Sequence, residues 1–101
     1  MFGRIKKEKI ELSSSELRIL MYALNDFRND LLNEVGYSDA IDVVMVKLKP
    51  KMKVDRYDLG AMINGLDRKR KSMIAENQDI QEIDELLLKL VEVNKKCNKK
   101  W

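Results

Sequence analysis

The side chains in this chain that could do chemistry are mostly charged, and the groups on which most enzymes rely are missing. No histidine occurs among the 101 residues, which removes the ordinary general base near neutral pH and the imidazole metal ligand. The single cysteine, Cys97, stands among lysines with no histidine to activate it, and a solvated tail thiol is the expectation there. No glycine-rich phosphate loop is present, and the carboxylates lack the spacing of a metal site. The sequence therefore predicts a non-enzyme that uses no cofactor and no metal.

Pairing and display of charge are what remain. Arg28 and Arg70 interrupt apolar stripes at the same register, each one turn after a leucine, Leu24 or Leu66. A guanidinium turned toward a core needs a counter-charge, because its desolvation is costly. Asp42 and Asp84 offer one, and the expectation is a pair of interhelical bridges, Arg28–Asp42 and Arg70–Asp84, that fix how two helical hairpins close. The competing readings are an Arg–carboxylate ligand site and arginines that simply reach solvent. The densest basic run is Arg68-Lys69-Arg70-Lys71. With Arg70 facing inward, Arg68, Lys69 and Lys71 spread over the outer surface of their helix as a solvated face, a protein-contact patch or a ridge for phosphates. Asp67 and Glu76 nearby, and the absence of interleaved aromatics, weigh against nucleic acid.

These residues are placed by a repeat. Shifting the sequence by 42 positions lays 12–49 on 54–91 without a gap, with eight identical columns. They are Leu17/Leu59, Leu24/Leu66, Arg28/Arg70, Glu34/Glu76, Ile41/Ile83, Asp42/Asp84, Lys47/Lys89 and Leu48/Leu90. Such self-similarity indicates a duplicated structural unit. Tyr22, Phe27 and Tyr37 stand where the second copy has Asn64, Lys69 and Asp79. That divergence suggests a protein partner for the first copy, with packing of Phe27 into its own core as the alternative.

Each unit reads as two helices. Ser13 with Glu16 forms a capping box, stapled by Leu12 and Leu17, and Asp55 with Asp58 repeats it beside Val54 and Leu59. Apolar residues at three- and four-residue steps then predict helices over Ser14–Glu34 and Arg56–Glu76. Gly36 fits a helix C-terminal cap, and Ser38 caps a second helix over Asp39–Lys49, stopped by Pro50. Asp79 with Glu82 suggests another capping box, opening a fourth helix that reaches about Asn94. Lys51–Lys53 reads as a basic linker, although Ile10/Leu12 and Met52/Val54 alternate as a short strand pair would. Because the second and fourth helices are apolar on most sides, they are expected at the centre, with any uncovered face forming a homodimer interface. Ala23 and Gly65, in one column, predict a close helix crossing.

Charge is unevenly distributed. The net charge of +3 resolves into basic ends, residues 1–11 and 93–101, around a body that is mildly acidic. No run reaches the roughly 18 apolar residues of a membrane span, and no signal peptide is evident, so the cytoplasm is the expected location.

The stretch Glu11–Leu32, with Gly36-Tyr37-Ser38-Asp39-Ala40-Ile41-Asp42, resembles the helical hairpins of small proteins from phages and prophages of low-GC Gram-positive bacteria. The resemblance implies an accessory protein that binds a host or phage macromolecule. The combined expectation is an all-α domain over 12–94, made of two tandem helical hairpins (12–50, then a linker and 51–94). A basic N-terminal segment (1–11) and a basic tail (95–101) flank it. The expected role is protein interaction through Tyr22, Phe27, Tyr37, Arg68, Lys69 and Lys71. Nucleic-acid binding through the basic run and the lysine-rich ends is the alternative, and self-assembly is the third.

Overall fold

Local sequence signals decide where the helices begin. In the computed structural model, which describes residues 6–97, the order is β1 (Glu8–Glu11), α1 (Ser14–Glu34), α2 (Asp39–Lys47), β2 (Lys51–Val54), α3 (Arg56–Ala75) and α4 (Gln81–Cys97). Both capping boxes at the starts of α1 and α3 form. The Ser13 hydroxyl accepts the Glu16 N–H at 3.1 Å while Glu16 accepts the Ser13 N–H at 2.9 Å. Asp55 and Asp58 exchange the equivalent bonds at 2.9 and 3.1 Å. Gly36 ends α1 with φ +84°, a left-handed conformation that glycine adopts without steric cost. Its N–H returns to the Leu31 carbonyl at 3.1 Å. In the second half the left-handed residue is Asn77, one column earlier.

The start of α4 departs from the expected reciprocal cap. Asp79 Oδ1 accepts the Gln81 N–H at 2.9 Å, but Glu82 turns away to accept the Ser15 hydroxyl of α1 at 2.8 Å. Ser38 stands at the start of α2 without a side-chain cap; its hydroxyl donates to Asp42 Oδ2 at 3.0 Å instead.

Part of the basic N-terminal segment and the segment read as a linker form a two-stranded antiparallel ribbon, as their alternation allowed. Ile10 lies opposite Met52, and Glu8 lies opposite Val54. Alternation explains it: Ile10, Met52 and Val54 point into the core while the lysines between them face out.

The core also rearranges the expected order of helices. α3, not α2 or α4, is central: it packs on α1, α4, α2 and β2, and buries Leu59, Met62 and Leu66 completely. α2 is short and peripheral, with Val43 and Val46 in solvent, and Leu88 of α4 is exposed too. An apolar circumference misled because these three side chains are not covered within the chain. Ala23 and Gly65 do meet at the α1–α3 crossing, where a Cβ on Gly65 would lie 3.2 Å from Leu24 Cδ2.

Helix α4 runs past Asn94 to Cys97, which is 7% exposed and sits in the core with its Sγ 3.9 Å from the Val54 carbonyl. The solvated-thiol expectation fails here, because Leu86, Leu90, Val93 and Cys97 share one stripe of the helix. Burial pushes the thiol pKa up, with the nearby Glu8 carboxylate adding to it. Trp101 and the lysines at 99 and 100 lie outside the described residues.

Candidate binding site

Helices α1 and α3 carry most of the expected site residues and bring four of them to one face. Tyr22 and Phe27 project from α1, Arg68 and Lys69 from α3, and the crossing at Ala23 and Gly65 sets the two helices close together. Near this crossing the basic run meets the acidic side of α1. Lys69 Nζ lies 2.8 Å from Asp26 Oδ2. Arg68 Nη2 lies 3.0 Å from Asp30 and 3.7 Å from Glu34, with its guanidinium 4.9 Å from the centre of the Phe27 ring. Lys71 bonds Asp67 on its own helix at 3.0 Å. Each cation of the ridge is thus already matched by a carboxylate, and Phe27 is half-buried against Gly65 beneath Arg68.

Tyr22 is different. It is 63% exposed and stands at a cleft of about 250 Å³ whose apolar wall is Ile19, Met73 and Ile83, from α1, α3 and α4. Lys69, Asp79 and Glu82 give the rim its charges. Lys69 also lines a second cleft of about 230 Å³ over the crossing, with Asp26, Arg68 and Ser72. Tyr37 is exposed at the α1–α2 turn and lines neither cleft.

The two expected arginine bridges lie at the edge of the bundle. Arg28 Nε is 2.6 Å from Asp42 Oδ1, and Arg70 Nε is 2.5 Å from Asp84 Oδ1. All four side chains remain partly exposed, so the arginines lean to solvent while bridging neighbouring helices. The Arg28 guanidinium, with help from Ser38, holds the Asp42 carboxyl below its ordinary value against a burial penalty.

A second set of bridges was not anticipated. Lys47 of α2 reaches Asp58 of α3 at 2.5 Å, and Lys89 of α4 reaches Glu16 of α1 at 3.0 Å as well as the Glu11 carbonyl. Each lysine binds the acid that completes the other half's capping box. Burial raises the Glu16 pKa, but the Ser13 N–H and the Lys89 ammonium outweigh it, and the net shift is downward. The identical column Lys47/Lys89 was the available signal.

Among the described residues no group of three or more His, Cys, Asp or Glu side chains is placed to hold a metal, and no helix is long and apolar enough to cross a membrane. No protein-family model, curated protein or solved structure matches the chain. The functional reading therefore rests on the geometry of its own residues.

Proposed function

We propose that this chain is a small, non-enzymatic protein-interaction module that takes an apolar side chain of its partner into the cleft beside Tyr22. The observation that carries this reading is a large aromatic left in solvent at the edge of an apolar cleft shared by three helices. Exposed aromatics next to a preformed pocket are typical anchors of protein recognition. The charged rim supplies orientation, and Tyr37 extends the contact along the α1–α2 turn. An accessory role in the cytoplasm, as the hairpin resemblance implies, suits such a module.

Nucleic-acid binding through the α3 ridge has less support, because Arg68, Lys69 and Lys71 are spent on Asp30, Asp26 and Asp67. Self-association is the third reading, through the apolar side chains of α2 and α4 left uncovered at Val43, Val46 and Leu88.

The proposed scaffold is a duplicated hairpin with an approximate twofold relation. Several pairs support it at the 42-residue offset. Ile10 faces its own counterpart Met52 in the ribbon. Ala23 faces Gly65 at the crossing. The bridges Arg28–Asp42 and Lys47–Asp58 recur as Arg70–Asp84 and Lys89–Glu16. The Asp26–Lys69 contact likewise corresponds to that of Arg68 with Phe27.

Affinity capture from extracts of the source organism tests the function. A discrete protein retained by wild type and by Tyr57→Ala, an exposed tyrosine elsewhere, but lost with Tyr22→Ala is the expected result. Equal retention by both variants would remove the cleft from the account, and sedimentation of the purified chain reports any self-association.

A further inference from the structure

A further concavity lies at the ribbon, away from the Tyr22 cleft. It is an open groove of about 770 Å³ between β1, β2 and the end of α2. Among the described residues Lys7, Lys9, Lys47, Lys49, Lys51 and Lys53 line it, with Glu11 as the single acidic residue. All of these lysines but Lys47, which holds Asp58, are exposed, and among the described residues none of the other five ammonium groups has a carboxylate or hydrogen-bond partner. Elsewhere on the surface Lys69, Lys71 and Lys89 each hold an acid.

The arrangement is set by strand geometry. With Ile10, Met52 and Val54 directed into the core, every second residue of the ribbon must face outward, and those residues are Lys9, Glu11, Lys51 and Lys53. The register places Lys9 directly opposite Lys53, a like-charge pairing that is unfavourable in an isolated sheet. An anionic ligand laid along the ribbon removes that repulsion. The same lysine stands at matching places in the two halves, Lys7 with Lys49 and Lys9 with Lys51, so the charge spans the ribbon rather than one edge.

We infer that this groove binds the phosphate backbone of double-stranded nucleic acid without reading its sequence. The cations are lysines, which act as point charges on phosphate, and among the described residues no aromatic lines the groove for base stacking. The phosphate backbone of a duplex is a narrow ridge of charges that can enter the groove without the whole duplex doing so, whereas a flat anionic bilayer meets only its rim. This site is independent of the Tyr22 cleft, and the chain carries both.

Fluorescence anisotropy with short labelled DNA duplexes of unrelated sequence, over about 50 to 200 mM salt, tests the inference. Binding is expected to be alike for all sequences and to fall steeply with salt. Lys51→Gln/Lys53→Gln, on the exposed face of the ribbon, should leave the melting temperature unchanged while lowering the slope of log affinity against log salt by about two. Arg18→Gln/Lys96→Gln removes the same charge elsewhere and should leave the slope within experimental scatter. No binding at the lowest salt overturns the inference, as does an equal loss in both variants, which would report net charge alone. Poly-glutamate peptide or phosphatidylserine vesicles that compete as strongly per charge as unlabelled duplex would overturn it too, in favour of a protein or lipid surface.

Discussion

Replacing Lys47 by methionine isolates the least exposed charge among the described residues. The Asp58 carboxylate is 6% exposed and is held by the Lys47 ammonium at 2.5 Å and the Asp55 N–H at 3.1 Å. Methionine keeps most of the apolar stem and removes the charge, leaving Asp58 with its backbone bond alone. Breaking a fully buried pair from one side costs about 3–5 kcal/mol. Lys47 is itself 36% exposed, so water reaches the vacated side, and a loss of about 2 kcal/mol is expected. At the counterpart site Glu16 is 27% exposed, and Lys89→Met should cost about 1 kcal/mol or less. Urea unfolding followed by circular dichroism measures both, and for a domain of this size the first loss lowers Tm by about 8–16 °C. Asp58→Asn in the Lys47→Met background should recover most of the loss by removing the unpaired charge. Equal costs at the two sites, or no recovery with Asp58→Asn, would refute the assignment of the penalty to Asp58.

Three further outcomes are expected. Gly65→Ala places a Cβ 3.2 Å from the mobile Leu24 Cδ2, and the crowding should be offset by a helix-propensity gain of up to about 1 kcal/mol, whereas Gly65→Leu should destabilise by about 3 kcal/mol in the same unfolding assay by forcing α1 and α3 apart. Glu16 and Asp42 titrate below their ordinary values of 4.5 and 3.8, so the stability they contribute is complete above that range and lost as the pH falls through their lower folded values; Tm measured against pH should decline there, less steeply in Glu16→Gln. Cys97 should react with a thiol reagent at least ~100-fold more slowly in the native protein than in urea, because it is buried and its pKa is raised; comparable rates would place it in solvent.

The features legible in the sequence were those encoded within a few residues or carried by matching residues at the 42-residue offset. The capping boxes at Ser13 and Asp55 are local patterns with one satisfying geometry, and Gly36 stands where the chain needs a positive φ. Arg28 and Arg70 pointed to Asp42 and Asp84 because both residue types recur at the same offset. The central place of α3 was hidden, because its stripe resembles that of α1, and only three-dimensional packing leaves Val43, Val46 and Leu88 uncovered. Lys95 and Lys96 masked the stripe that carries Cys97 inward. The matching of Arg68 and Lys69 with Asp30 and Asp26 depends on how α1 crosses α3, which no single segment specifies. The ribbon was readable as alternation, but its groove of unmatched lysines appears only once β1 is paired with β2.

The claim at the centre of this account is that the face beside Tyr22 is where a partner protein docks. Site-specific photocrosslinking in cells of the source organism tests it most directly, with a photoreactive phenylalanine analogue placed at position 22 and, in parallel, at the exposed position 57. One discrete crosslinked protein is expected from position 22 and none of it from position 57. No adduct at position 22, or the same adducts from both positions, would contradict it.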